Sequence, residues 1–305
     1  MLSPAGDAGE GGAAMILVFG SINIDVVVPL PGLPKPGETV LGGDYALLPG
    51  GKGANQALAA RRAGSAVAMA GAVGEDGFAE TALANLRAAG VDLGLVRRSS
   101  LPTGLAAIMV GGGDNLIAVA SGANRAAAAA DVPDAAFRPG TILVCQMEVP
   151  ATETSALIRR GAARGSRTIL NLAPAMPLDP ALLGDIDYLV TNEGEAATLG
   201  PEPAALARSL RQALIVTRGA AGATAFLADG GRIAVPAPPI TPVDTTGAGD
   251  TFVGVLAAAL EQGHTLPAAL RRASVAAGIA CLAAGAQSAM PQSAAIEQAV
   301  ARLPV

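Results

Sequence analysis

The chain has no tryptophan, five phenylalanines and two tyrosines among 305 residues, so ring platforms for stacking ligands are scarce. Histidine is rarer still. With His264 alone, following Gln262-Gly263 at the end of an apolar run, no His-rich metal site can be assembled and a surface-loop position is expected. Cys145 and Cys281 both lie inside apolar runs. They supply neither a disulfide framework nor a zinc constellation and read as buried reduced thiols, which suits a cytoplasmic protein. Charged residues make up 15% of the chain, with a net charge of −5. Basic residues cluster no further than Arg61-Arg62, Arg97-Arg98 and Arg271-Arg272, which read as solvated helix ends, so nucleic-acid binding is not expected. Membrane association is not expected either. The longest uncharged stretch, Ala273 to Ile296, is interrupted by Gly278, Gly285, Gln287, Pro291 and Gln292 and reads as a buried Ala-rich helix and a turn. Residues 1–14 lack the basic and apolar regions of a secretory signal and are expected to form a disordered tail.

Several catalytic signatures are missing as well. No G-x-S-x-G is present for a hydrolase elbow, and no G-x-G-x-x-G follows the first apolar run. A Walker A loop is excluded because Lys52 is followed by Gly53 and Ala46 stands where that motif needs its first glycine.

What is present is a hydrophobic half, 51% of residues, enough for one large core or a core with an appended subdomain. Unalternating apolar runs of strand length recur at Met15–Phe19, Ala66–Ala70, Thr141–Gln146, Thr168–Leu172, Asp187–Thr191 and Ala213–Thr217. Helical patterns lie between them, around Ala54–Ala63, Phe78–Ala89, Thr152–Ala163 and Ala204–Arg211. Strands covered on both faces and joined by crossover helices imply an α/β fold with a mostly parallel sheet between helices. Two stretches break the rhythm. Ile22–Leu48 is rich in Pro and Gly, and in Thr103–Val119 two strand-like runs flank Gly111-Gly112-Gly113-Asp114-Asn115. Both read as strands of a small second sheet inserted into the main domain.

The segment Asp244-Thr245-Thr246-Gly247-Ala248-Gly249-Asp250-Thr251-Phe252 carries the clearest chemistry. Gly247 and Gly249 permit a turn in which N–H groups converge, and the apolar run from Phe252 to Leu260 supplies a helix whose positive end favours an anion. Asp250 then stands as a base beside an anion hole. A capped helix start is the plainer alternative. In Ser21-Ile22-Asn23-Ile24-Asp25, strand periodicity puts Asn23 and Asp25 on one face, suited to gripping the hydroxyls of a polyol; a solvent-facing edge strand is the alternative. Gly50-Gly51-Lys52-Gly53-Ala54-Asn55 places glycine where a loop enters a helix, with Lys52 and Asn55 reaching toward one space.

Together these segments resemble the ribokinase branch of the PfkB carbohydrate kinases. Ser121–Asn124, Gln146–Pro150, Asn171–Ala175, Thr191–Glu195 and Thr217–Gly222 match further family motifs in order, so the resemblance spans nearly the whole chain. It implies a three-layer kinase domain over residues 15–305 with lid segments at about 22–48 and 103–120, and a homodimer closing lid on lid. It implies that Asn23, Asp25, Gly51, Lys52, Gly53, Asn55 and Glu148 hold a sugar, with Asp250 as base. Gly247, Ala248 and Gly249 would form the anion hole for ATP. Asn192 and Glu195 resemble the motif that organises Mg²⁺ and the triphosphate, while Thr217, Gly219, Gly222 and Ser274 would lie against the nucleotide. Asp244, Thr246, Ala280, Ala283, Gly285 and Ala289 correspond to the family's potassium site. Three positions depart from the pattern: Ser274 replaces Asn or His near the adenine, Ala283 replaces an Arg, and Ala289 replaces a Ser at the cation.

An aspartate in water, with a pKa of about 3.9, is too weak to deprotonate an alcohol ahead of attack. Proton transfer must therefore accompany or follow bond formation to phosphorus, and acceleration comes from positioning and charge neutralisation. With so few rings, adenine is expected between aliphatic and alanine side chains. Phosphorylation of ribose to ribose 5-phosphate is the expected activity; a kinase for deoxyribose, another sugar or a nucleoside, and a sugar sensor without catalysis, are the alternatives.

Overall fold

In the computed structural model, which describes residues 16–200 and 202–302, the unalternating apolar runs form the interior of one large sheet. Its parallel strands are β1 (Ile16–Phe19), β4 (Val67–Gly74), β5 (Asp92–Ser99), β8 (Ile142–Cys145), β9 (Arg167–Asn171), β10 (Tyr188–Asn192) and β11 (Ala213–Thr217). Two antiparallel strands, β12 (Ala223–Leu227) and β13 (Arg232–Val235), extend one edge and complete the order β13-β12-β11-β10-β9-β8-β1-β4-β5. Ile16 is in register with both Val67 and Ile142, so β1 sits inside the sheet with neighbours on either side. The expected 1–14 tail and Met15 lie outside the described residues.

Alternation along β1 serves two cores. Ile16 and Val18 pack with helices α1 (Lys52–Arg62), α2 (Gly77–Ala89), α6 (Ala248–Glu261), α7 (Leu266–Ala280) and α9 (Ser293–Arg302). Leu17 and Phe19 face the other layer, with α3 (Ala151–Ala163), the short helices α4 (Glu193–Thr198) and α5 (Pro203–Ala207), and the segments around Val132 and Leu182. Both faces of the sheet are thus dry, which is why its strands lack a polar side. The start of α2 follows local chemistry: Asp76 caps it through the N–H groups of Phe78 and Ala79.

The second sheet has the order β3-β2-β6-β7, from β2 (Asn23–Leu30), β3 (Ala46–Gly50), β6 (Gly104–Gly111) and β7 (Asp114–Ala120). The glycine-rich Gly111–Asn115 segment turns β6 into β7 as its composition implies.

Three expectations need correction. The arginine pairs are solvated helix ends only in part: Arg61 and Arg62 do end α1 but are half-buried, and Arg97 and Arg98 are exposed but belong to a strand. Arg61 and Arg62 donate from α1 to the carbonyls of Ala89, Ser65, Gln287 and Met290, Arg97 and Arg98 lie on β5, and Arg272 is buried inside α7 and pairs with Glu297. The helix around Ala204–Arg211 is only the short α5, followed by turns. Strands β5, β12 and β13 escaped the pattern, since their partial exposure breaks up the apolar run. Cys145 and Cys281 are buried free thiols and His264 is exposed. Among the described residues no helix is long and apolar enough to cross a membrane.

Candidate active site

Helix α6 begins at Gly247, whose φ of 74° lies in the left-handed region that favours glycine. The Ala248 N–H donates back to the Thr245 carbonyl and the Thr251 N–H to that of Gly247. The N–H groups of Gly249 and Asp250 have no backbone acceptor among the described residues. They point from the positive end of a fourteen-residue helix, a ready anion site. Asp250 sits in this first turn, only 7% exposed. Its Oδ2 accepts from Asn55 Nδ2 at 2.9 Å and its Oδ1 from Gln56 Nε2 at 3.0 Å. Both donors belong to α1, and the two helices meet closely at Gly254, where a Cβ would lie 2.5 Å from the Gln56 carbonyl oxygen. Any side chain there would push Asn55 and Gln56 away from the carboxylate.

The start of α1 gathers the other polar residues. Glu148 Oε2 accepts from Ser21 Oγ at 2.5 Å and from the Lys52 N–H at 3.1 Å, while Gly51 caps the helix and the Gly53 N–H donates to Ser21 Oγ. Asn23 Oδ1 accepts from Asn124 Nδ2 at 2.7 Å, and Ile22 and Ile24 are fully buried on the opposite side, as the strand periodicity requires. Burial, with Glu148 and Asp250 nearby, pushes the Asp25 pKa up to about 6. Asp250 is the main cause that raises the pKa of Lys52, with Glu148 and Glu195 adding to it against the opposing effect of burial. Asn23, Lys52, Asn124, Met147, Glu148 and Glu195 line a cavity of about 620 Å³. Asp25, Gly51, Gly53 and Asn55 do not line it; Asp25 is tied to it by its electrostatic coupling to Glu148.

On the far side of Asp250 lies a mainly apolar cavity of about 420 Å³, walled by Pro238, Pro239, Ile240 and alanines and by Thr217, Gly219, Gly222, Ala248, Gly249 and Ser274. One ring, Phe252, is among its lining residues. A cleft of about 140 Å³ joins the two spaces. It shares Lys52, Ala173 and Glu195 with the polar cavity and Thr217 and Gly249 with the apolar one, and Asp250 lines the junction. Asn192 and Glu195 also face it. They form a reciprocal capping box that starts α4, so their spacing has a structural cause as well, and only Oε2 of Glu195 is engaged. Among the described residues no three His, Cys, Asp or Glu side chains gather to hold a metal ion unaided.

Behind the glycine turn, the Val243–Thr246 segment is laced to the end of α7. The Cys281 carbonyl accepts from the N–H groups of Val243 and Asp244, and Asp244 Oδ2 accepts from the Gly285 N–H at 2.8 Å. Asp244 Oδ1 accepts from both the N–H and Oγ1 of Thr246. Burial works to raise the Asp244 pKa, but these hydrogen bonds outweigh it and hold the carboxyl below its usual value. Ala280 ends α7, Ala283 follows, and Gly285 and Ala289 flank and close α8 (Ala286–Ala289), so all the residues of the expected cation site fall on two adjoining segments.

Sequence reasoning passed over Gln56, Gln146, Asn85 and Gln287. Neighbouring positions on a helix point roughly 100° apart, so nothing in the sequence says that Asn55 and Gln56 both reach one carboxylate.

Comparisons with known proteins agree with this geometry. The pfkB family carbohydrate kinase profile matches residues 13–293. A ribokinase of Bacillus subtilis is 39% identical over 289 residues, covering 93% of this chain and 98% of that protein. A deoxyribokinase of Salmonella typhi is 34% identical over 292 residues, 90% of this chain and 95% of that protein. The structure of Arabidopsis thaliana ribokinase complexed with ribose and ATP superposes with a TM-score of 0.87 at 30% identity, covering 96% of this chain and all of the other, 100%. A helix-borne aspartate between a polar and an apolar cavity, in a chain matched over 90–96% of its length by these proteins, leads to one assignment: the chain belongs to the pfkB family of carbohydrate kinases.

Proposed function

We propose that the protein is an ATP-dependent ribokinase that transfers the γ-phosphoryl group to O5 of D-ribose. The observation that carries this reading is the position of Asp250 at the only narrow junction described between the polar and apolar cavities, beside two free N–H groups of a helix start. Ribose occupies the polar side, lined by Asn23, Lys52 and Glu148, whose donors and acceptors match hydroxyls, with Asp25, Gly51, Gly53 and Asn55 on the adjoining segments. Adenine occupies the apolar side against Ser274, Phe252 and the Thr217–Gly222 turn. The Gly247-Ala248-Gly249 turn and Lys52 stabilise the charge of the transferred group, and Asp250 receives the hydroxyl proton as the O–P bond forms. Mg²⁺, carried in with the triphosphate, supplies charge neutralisation. Asn192 and Glu195 fit its surroundings because Glu195 Oε1 and the cleft face remain available. A monovalent cation, K⁺ by preference, would be held by Asp244 and the Thr246 and Ala280–Ala289 segments, whose carboxylate and carbonyl oxygens suit a large, weakly hydrated ion. The protein acts in the cytoplasm as a homodimer closed lid against lid.

The test is ADP release, coupled to a dehydrogenase readout, across ribose, 2-deoxyribose, fructose and adenosine. Ribose is expected to give the highest kcat/KM. A clear preference for deoxyribose would move the assignment to the activity named for the Salmonella relative, and no sugar-dependent ADP release would remove the catalytic reading altogether.

A further inference from the structure

Five amide side chains lead to Asp250, none of them lines the cavity on the sugar side, and all are ordered in one direction. An ionised carboxylate can only accept hydrogen bonds, so an amide beside it must present its NH₂ group. Gln56 does so toward Oδ1 at 3.0 Å, which leaves its own carbonyl to accept, and it accepts from Gln146 Nε2 at 2.6 Å. Asn55 does the same toward Oδ2 at 2.9 Å, and its carbonyl accepts from Gln287 Nε2 at 3.1 Å. Gln287 Oε1 in turn accepts from Asn85 Nδ2 at 3.0 Å. Every amide therefore points its donor end toward Asp250. Gln56 and Gln146 are 0% exposed and Gln287 is 2% exposed, so water does not compete for these bonds.

We propose that Gln56 and Gln287 are positioning residues for phosphoryl transfer: two one-way amide chains converge on Asp250 and hold its carboxylate plane, leaving one orientation for the lone pair that meets the substrate hydroxyl. The proposal rests on Asp250 being the base. Buried hydrogen-bond chains polarise one another, so each outer amide strengthens the bond that touches the carboxylate. The chains also anchor to different places. Gln146 stands just after β8 at the centre of the sheet, Asn85 lies on α2, and Gln287 lies on α8 beside the Asp244–Gly285 contact. Arg62 donates to the Gln287 and Met290 carbonyls at 2.6 and 2.9 Å, which fixes α8 against α1. A shift of the Gly285 segment is thereby felt at Asp250 through Gln287 and Asn55 without either glutamine touching sugar or nucleotide.

The test is a double-mutant cycle in the full chain. Gln56→Met keeps the length of the side chain and removes its donor and acceptor; Gln287→Met does so for the second chain. Misplacing a reacting group by about 1 Å costs about 10²-fold, so kcat is expected to fall by about 10- to 100-fold in each variant. KM values, and sugar and ATP-analogue affinities by calorimetry, should stay within about twofold by the same argument, since the glutamines act on the base alone. In an Asp250→Asn background the further loss from either substitution should shrink to less than about twofold, because the group being positioned is gone. Gln56→Glu, which can still hydrogen-bond but brings a second acidic group, should not rescue kcat. A folded Gln56→Met with wild-type kcat, or losses that are equal in both backgrounds, would overturn the inference while leaving the kinase reading intact. If Gln56→Met does not fold, Gln287→Met decides by the same cycle. A wild-type protein without sugar-dependent ADP release would overturn both.

Discussion

Asp250 combines burial with three kinds of neighbour: amide donors on both oxygens, the Lys52 ammonium, and the carboxyl of Asp25. Removing its basicity should leave the cavities intact. Asp250→Asn is expected to lower kcat by about 10²–10⁴-fold, the usual range for a general base, with ribose affinity by calorimetry largely retained. Asp25 gives a second prediction, set by pH. Its pKa in the fold, about 6, lies above the unfolded value of 3.8, so the fold carries the cost of ionising it in full above pH 6 and is relieved of it below pH 4. Sugar binding runs the opposite way, because hydroxyl donors need the carboxylate. The ribose KM is expected to rise as pH falls through about 6 while the ATP KM stays nearly flat, and Asp25→Asn should raise KM and remove the inflection. A ribose KM independent of pH between 5 and 8 would contradict the role given to Asp25.

Among the elements, α6 and its flanking segments decide most of the chemistry. Gly254 lets α6 approach α1 closely enough for Asn55 and Gln56 to bond Asp250, and the end of α7 laces to the segment that precedes the glycine turn. That second contact is where the proposed cation would act. A large cation held by Asp244 and backbone carbonyls would stiffen the turn without meeting substrate. Ala289, at the end of α8, offers no hydroxyl ligand there. KCl is therefore expected to raise turnover more than NaCl at matched ionic strength, with saturating Mg-ATP and ribose, but by a smaller factor than in an Ala289→Ser variant. Superimposable salt curves would show that the contact is purely structural. The Asn192–Glu195 pair makes a related point, since one spacing serves a helix cap and a cleft wall together.

At the scale of the whole molecule, the main sheet is enclosed by helices but the small sheet is not. Every residue of β7 is exposed, with Leu116, Ile117 and Val119 at 45%, 58% and 56%. A four-stranded sheet with apolar residues left open gains from a partner, and a second copy presenting the same sheet would supply it. Light scattering at micromolar concentration is expected to give a dimer, and Ile117→Lys a monomer with weaker sugar binding. A fully active wild-type monomer would remove this assignment.

From the chain alone, the parallel α/β sheet was legible because doubly covered strands need uninterrupted apolar runs, and Gly247 and Asp250 were legible because an anion turn at a helix start demands those residue types in that order. The inserted sheet showed through its break in rhythm, although its exposed apolar face did not. Strands β5 and β13 stayed hidden because edge strands have no continuous apolar signature, and β12, next to the edge, because a five-residue run broken by Thr224 gives too short a pattern. Only the tertiary structure decided which polar residues converge on Asp250. Asn85, Gln146 and Gln287 are separated from Asp250 by dozens to more than a hundred residues or by a helix boundary, and a lone buried amide has no local pattern. Its meaning comes from the donor or acceptor that folding places opposite it, here one carboxylate to which the amide chains turn.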